Sequence, residues 1–191
     1  MPAAARLRSL LAACALLVLA ACAAPPAPLR SELDPKTAVT TQYMGEPWIY
    51  AREATELAVH ARDYLSVGVV EVNRQGRRSY FLGVVAWSTI DRSGVSGART
   101  PLPAELRMDG RDAPFAPLGH EPKAIGVSLD LFRPATGYSG ETWYALQPAD
   151  VRALAARRPA WIEFVLDDVC YRFEHWRGGP ELLAPLVERM P

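Results

Sequence analysis

Two runs rich in Val, Tyr, Phe, Leu and Trp, residues 64–72 and 78–90, flank the tetrapeptide Asn73-Arg74-Gln75-Gly76. This arrangement limits the fold more than any other feature of the chain. β-branched and aromatic side chains suit the pleated surface of a strand. Asn at the first and Gly at the fourth position suit a type I turn, with Gly76 left-handed in a G1 bulge. The two runs therefore read as one long hairpin. Side chains alternate across a strand, so Leu65, Val67 and Val69 face one way and Val70 and Val72 the other. A strand apolar on both faces belongs in the middle of a sheet, covered above and below.

A second hairpin tests itself through its register. With Asp167-Asp168 as a two-residue turn between residues 160–166 and 169–176, Leu166 faces Val169, Phe164 faces Tyr171 and Ile162 faces Phe173. On the other face Val165 meets Cys170 and Glu163 meets Arg172. Each favourable cross-strand pair contributes roughly 0.2–1 kcal/mol.

Residues 47–52 and 141–147 read as further short strands, and 125–132 alternates weakly. Asp109-Gly110 signals a hairpin between 104–108 and 112–118, whose second arm Pro114 and Pro117 push to an edge. Residues 91–103 and 133–140 read as loops. Residues 148–157 form the clearest helix, with Pro148 in the first turn, Asp150 at the positive end and Arg157 and Arg158 at the negative end. Val151, Leu154 and Ala155 make its apolar face. A second helix is predicted over 181–190, interrupted or delayed by Pro185. About seven to nine strands with one or two helices give a mainly β fold. An antiparallel β-sandwich or open barrel is expected, with one or two short helices near the C-terminus.

The chain has 191 residues, half of them hydrophobic and 22% charged, which excludes disorder over most of its length. Its 21 Lys+Arg balance 21 Asp+Glu, so it lacks the basic excess of a general nucleic-acid binder. Residues 43–191 suffice for a single globular domain.

The N-terminus is organised differently. Arg6 and Arg8 precede an uncharged apolar run ending Leu19-Ala20-Ala21-Cys22, the layout of an export signal over residues 1–21. The run is too short for a permanent span, which needs about 20 residues. Leu, two small residues and then Cys resembles the lipobox of bacterial lipoproteins. The resemblance covers the first 22 positions only, and the remaining domain resembles no family we recognise. It implies that Cys22 becomes the first mature residue, carrying a diacylglycerol and an N-acyl chain such as palmitate, and that the protein meets the membrane through it. Ala23, where an Asp would signal retention at the inner membrane, implies the outer membrane, with the domain on the periplasmic side. The alternative is an ordinary secretory peptide cut nearby.

Removing Arg6 and Arg8 leaves 21 − 2 = 19 Lys+Arg against 21 Asp+Glu, a formal charge of −2. Cys14 leaves with the signal and Cys22 is blocked, so Cys170 has no partner for a disulfide. Residues 22–42 carry Pro25, Pro26, Pro28 and Pro35 and read as an extended tether, reaching up to roughly 60 Å in polyproline form. Alternatively residues 37–43 add an edge strand.

Candidate chemistry fails on spacing. Cys170 and His175 are five apart on one predicted strand and so face opposite ways, which favours a buried, inert cysteine. His60, His120 and His175 form no close ligand pair, so no metal is expected. Ser96 lies in Ser93-Gly94-Val95-Ser96-Gly97, which lacks the first Gly of a nucleophile elbow and the helix after it. No cofactor motif is present. Arg74, Arg77 and Arg78 gather at a hairpin tip, where they read as a solvated turn or as contacts to an anionic surface. Trp161 and Trp176 fall on the face of the last hairpin opposite Ile162 and Phe173. They mark an interaction surface unless the terminal helix, with Leu182, Leu183, Leu186 and Val187, covers them, which is the expected arrangement. The function expected is a non-enzymatic binding or scaffold module for an envelope protein or wall component. The alternatives are a carrier of a small apolar ligand walled by tryptophans, or an envelope hydrolase whose site is not visible in linear sequence.

Overall fold

The computed structural model describes residues 28–55, 59–90, 104–134, 137–166 and 168–191. Within them lie strands β1 (Leu29–Leu33), β2 (Thr40–Met44), β3 (Trp48–Glu53), β4 (Arg62–Arg74), β5 (Arg77–Ser88), β6 (Arg107–Met108) and β7 (Pro117–Gly119). β8 (Tyr138–Leu146), helix α1 (Pro148–Ala156), β9 (Trp161–Leu166), β10 (Val169–Arg177) and helix α2 (Ala184–Val187) follow. All ten strands belong to one antiparallel sheet with the order β6-β9-β10-β3-β4-β5-β8-β7, and the β1–β2 pair joins β4 beside β3. The protein is mainly β, and the sheet curls into a half-barrel rather than splitting into a sandwich. Its two edges return toward one another, because Leu106 and Phe115, beside β6 and β7, exchange backbone hydrogen bonds of 3.0 and 2.8 Å.

β4 organises the molecule. Along one side it pairs with β5 from Asp63 to Arg74. Along the other it pairs first with β3, up to Val67, and then with β2, from Val70. Where the partners change, the Val69 N–H donates to the Met44 sulfur at 3.3 Å. Leu65, Val67 and Val69 point into the larger core with Trp48, Tyr50, Phe164 and Phe173. Val70 and Val72 point into a second core with Tyr43, Val127, Leu131 and Trp143. The strand is buried on both faces, as its sequence predicts. Gly68 and Gly83 are cross-strand partners on the second face, and they leave room for the rings of Phe132 and Trp143 to lie on the sheet.

The tip of this hairpin differs from expectation. Arg74 pairs with Arg77, and both Gln75 (φ 52°) and Gly76 (φ 87°) are left-handed, so the turn is a two-residue type I′ turn. Its twist matches that of two long strands, which a type I turn would splay. The Asn73 side chain accepts from the Gly76 N–H at 2.9 Å. The last hairpin has the predicted register throughout, from Leu166–Val169 to Trp161–Glu174. Arg172 lies opposite Glu163 but turns to Glu174, at 2.8 Å, and over the Trp161 ring, at 4.6 Å.

Three other expectations change. Residues 29–44, expected largely as tether, form the β1–β2 hairpin of the domain. Residues 125–132 are not a strand: a 3-10 turn, Pro122–Ile125, leads into irregular backbone held over the second core by Val127, Leu131 and Phe132. The arms around Asp109-Gly110 share one bridge and then part, β6 to pair with β9 and β7 with β8. The helix at Pro148 is present, with reciprocal capping between Gln147 and Asp150. The terminal segment is a 3-10 turn, Pro180–Leu182, followed by α2 with Pro185 in its first turn.

Candidate functional site

α2 lies on the larger-core side of the sheet, where Leu183 and Leu186 are fully buried. It is docked there from both sides, before and after the helix. The Trp48 indole donates to the Gly179 carbonyl at 2.8 Å, and Arg78 donates to the Arg189 carbonyl at 2.7 Å. The expected covering of Trp161 and Trp176 by this helix is therefore corrected. Those side chains stand on the opposite, outer face, with Trp176 56% exposed.

Register lines up the outer face. Trp161, Glu174, Ala51, Tyr64 and Trp87 are successive cross-strand partners on β9, β10, β3, β4 and β5. Tyr64 and Trp87 stack at 4.3 Å, and the Trp87 indole donates to Ser66 Oγ at 3.0 Å. The Arg62 guanidinium lies 4.7 Å over Trp176 and that of Arg172 over Trp161. Toward the hairpin tip the paired Val165 and Cys170 are exposed on this face. The face thus carries four aromatic rings, two of which, Trp161 and Trp176, have a guanidinium over them.

Beside this row is a cleft of about 400 Å³, at the step where the 127–134 segment rises over the sheet. Pro47, Ile49, Ser66 and Trp87 line it from the sheet, Phe132 and Arg133 from the covering segment, and Arg30 and Arg177 from the rim. Arg133 is neutralised by Asp130, at 2.6 Å, and by the fully buried Glu141, at 3.1 Å. Tyr43, at the edge of the cleft, donates to Glu32 at 2.5 Å; burial and that carboxylate push its hydroxyl up to about 12.

The covering segment is pinned by Asp34. Its carboxylate accepts from the Ser128 hydroxyl at 2.6 Å, from the Lys36 N–H at 3.0 Å and from the Ser128 and Thr37 N–H groups. Desolvation opposes ionisation, and these hydrogen bonds outweigh it, holding the carboxyl well below its usual range.

The three arginines of the first hairpin do not form one patch. Arg78 is on the larger-core face, 3.7 Å from the buried Glu71. Arg74 folds against Gly126, and Arg77 stays exposed. They stand at the opposite end of the sheet from Trp161 and Trp176, so the structure does not bring the two groups of site residues together. Cys170 and His175 do face opposite ways. His175 packs edge-on against Tyr50 and bonds the Gly178 carbonyl at 2.8 Å, whereas Cys170 is exposed rather than buried. Desolvation and the neighbouring Glu163 raise its thiol. His120 meets Thr142 at 3.1 Å, and His60 is exposed with φ 67°. Among the described residues no group of three His, Cys, Asp or Glu is placed to hold a metal. Trp48 and Trp143, candidates for the walls of a ligand cavity, are packed in the two cores. Ser96, Cys22 and the signal fall outside the described residues, among which no helix is long and apolar enough to cross a membrane.

Sequence reasoning missed Arg30, Arg177 and the cleft. Arg30 was hidden in a presumed tether, and Arg177 enters through a bulge in β10 between His175 and Arg177 that shifts the pairing with β3. No family model, characterised protein or solved structure matches this chain.

Proposed function

We propose that the protein is a lipid-anchored envelope module that acts by binding, held through Cys22 on the periplasmic side of the outer membrane. Its partner is an envelope protein or wall component, met by the outer face of the sheet. The lipobox resemblance supports the anchor, and Ala23 supports the choice of membrane. The observation that carries the binding surface is the exposed Trp176, with Arg62 over its ring and Trp161 on the neighbouring strand, on the face that α2 leaves open. Trp, Tyr and Arg dominate interface energetics because they bring large contact area and directional hydrogen bonding together.

Cross-linking in intact cells followed by mass spectrometry tests this. Wild-type protein should yield a reproducible partner joined near β9 or β10. Trp176→Ala at equal protein level should reduce that product about tenfold or more, the range of a central interface residue. Undiminished cross-linking in the variant rejects the surface.

A further inference from the structure

We propose that the cleft between Arg30 and Arg177 docks on anionic phospholipid headgroups of the leaflet that holds the acyl chains. This rests on the reading of Cys22 as the lipidated residue. The Gly45 N–H donates to the Pro28 carbonyl at 2.9 Å, and Gly45 lines the cleft, so the chain enters the folded body at the cleft's rim. Only six residue steps separate Cys22 from Pro28. At about 3.3–3.6 Å per step they span at most roughly 22 Å. A twenty-residue tether would let the body hang free; this one holds a defined side of it against the membrane surface.

That side carries the matching charge. Arg133 is already neutralised; Arg30 and Arg177 are exposed, Arg30 beside the Tyr43 hydroxyl that donates to Glu32. The mature chain as a whole has a formal charge of −2, so it has no general attraction to an anionic surface, only an oriented one. Pro47 and Ile49 between the arginines add an apolar floor, and Trp87 is of the residue type enriched at headgroup level. A basic side chain near an anionic leaflet favours association by about fivefold. The short link supplies a high effective concentration, so two such groups suffice to set orientation.

The lipidated mature protein is reconstituted in vesicles of phosphatidylcholine and in vesicles with a quarter of the lipid replaced by phosphatidylglycerol. Flotation with the neutral vesicles reads the anchor alone. Phenylglyoxal modification, followed arginine by arginine by mass spectrometry, reads the cleft. In anionic vesicles Arg30 and Arg177 should react about fivefold more slowly than in neutral ones, while Arg77 reacts equally in both. High salt should abolish the difference. Equal rates in the two vesicles overturn the docking while leaving the anchor intact, and so does protection in both, which would mean that the chain's own residues 23–27 or a protein fills the cleft. Failure to float overturns the anchor and the docking with it.

Discussion

Asp34 shows how one carboxylate holds two distant segments together. It lies in the turn between β1 and β2, yet two of its hydrogen bonds go to Ser128, 94 residues away, on the segment covering the second core. Because its carboxyl is held below the ordinary range, ionisation stabilises the fold wherever the unfolded chain would also be ionised, above about pH 4. That contribution is lost as pH falls through the folded value. Asp34→Asn should therefore melt several degrees below wild type at pH 6–7, and the gap should narrow steadily below about pH 4. Thermal melts of both proteins across that range check it; a gap independent of pH rejects the assignment. None of this was legible in the sequence. Leu33-Asp34-Pro35 signals a turn, but nothing in it names a partner nearly a hundred residues on. The outer-face position of Trp161 and Trp176, by contrast, follows from strand parity alone.

At the scale of elements, local pattern and tertiary placement separate cleanly. The register of β9 and β10 was legible because apolar and charged pairs match in only one alignment. The length of the central hairpin and the start of α1 were legible for similar local reasons. What failed was coverage. α2 is a four-residue helix and has no stability of its own. It sits wherever Leu183 and Leu186 find most apolar contact, and that is beside Trp48 in the larger core. Removing a buried leucine loses its transfer energy and leaves a cavity, so Leu186→Ala should cost about 2–5 kcal/mol in urea unfolding. Trp176→Ala, on the open face, should change stability by less than about 0.5 kcal/mol. Comparable losses in the two variants would place Trp176 inside a packed core instead. Residues 125–132 failed for the same reason: their weak alternation reflects three anchors, Val127, Leu131 and Phe132, under irregular backbone, not a ladder.

For the whole molecule, the proposed location depends on a residue outside the described fold. Replacing Cys22 by Ser removes the only sulfur the lipobox offers for acylation. The variant should move from the membrane to the soluble or uncleaved precursor fraction, with residue 22 unmodified by mass. A mature, soluble wild-type chain without acyl groups would reject the anchor. The curled sheet adds a constraint on how such a chain assembles. The hairpin nearest the anchor pairs with the far half of β4 and is pinned by Ser128. A polypeptide exported with its N-terminus leading would thus deliver this hairpin before β4, its neighbour in the sheet, and well before Ser128, which pins it. Between emergence and completion the hairpin's inner edge and the Asp34 carboxylate lack their partners, and during that interval an export chaperone would find them bare.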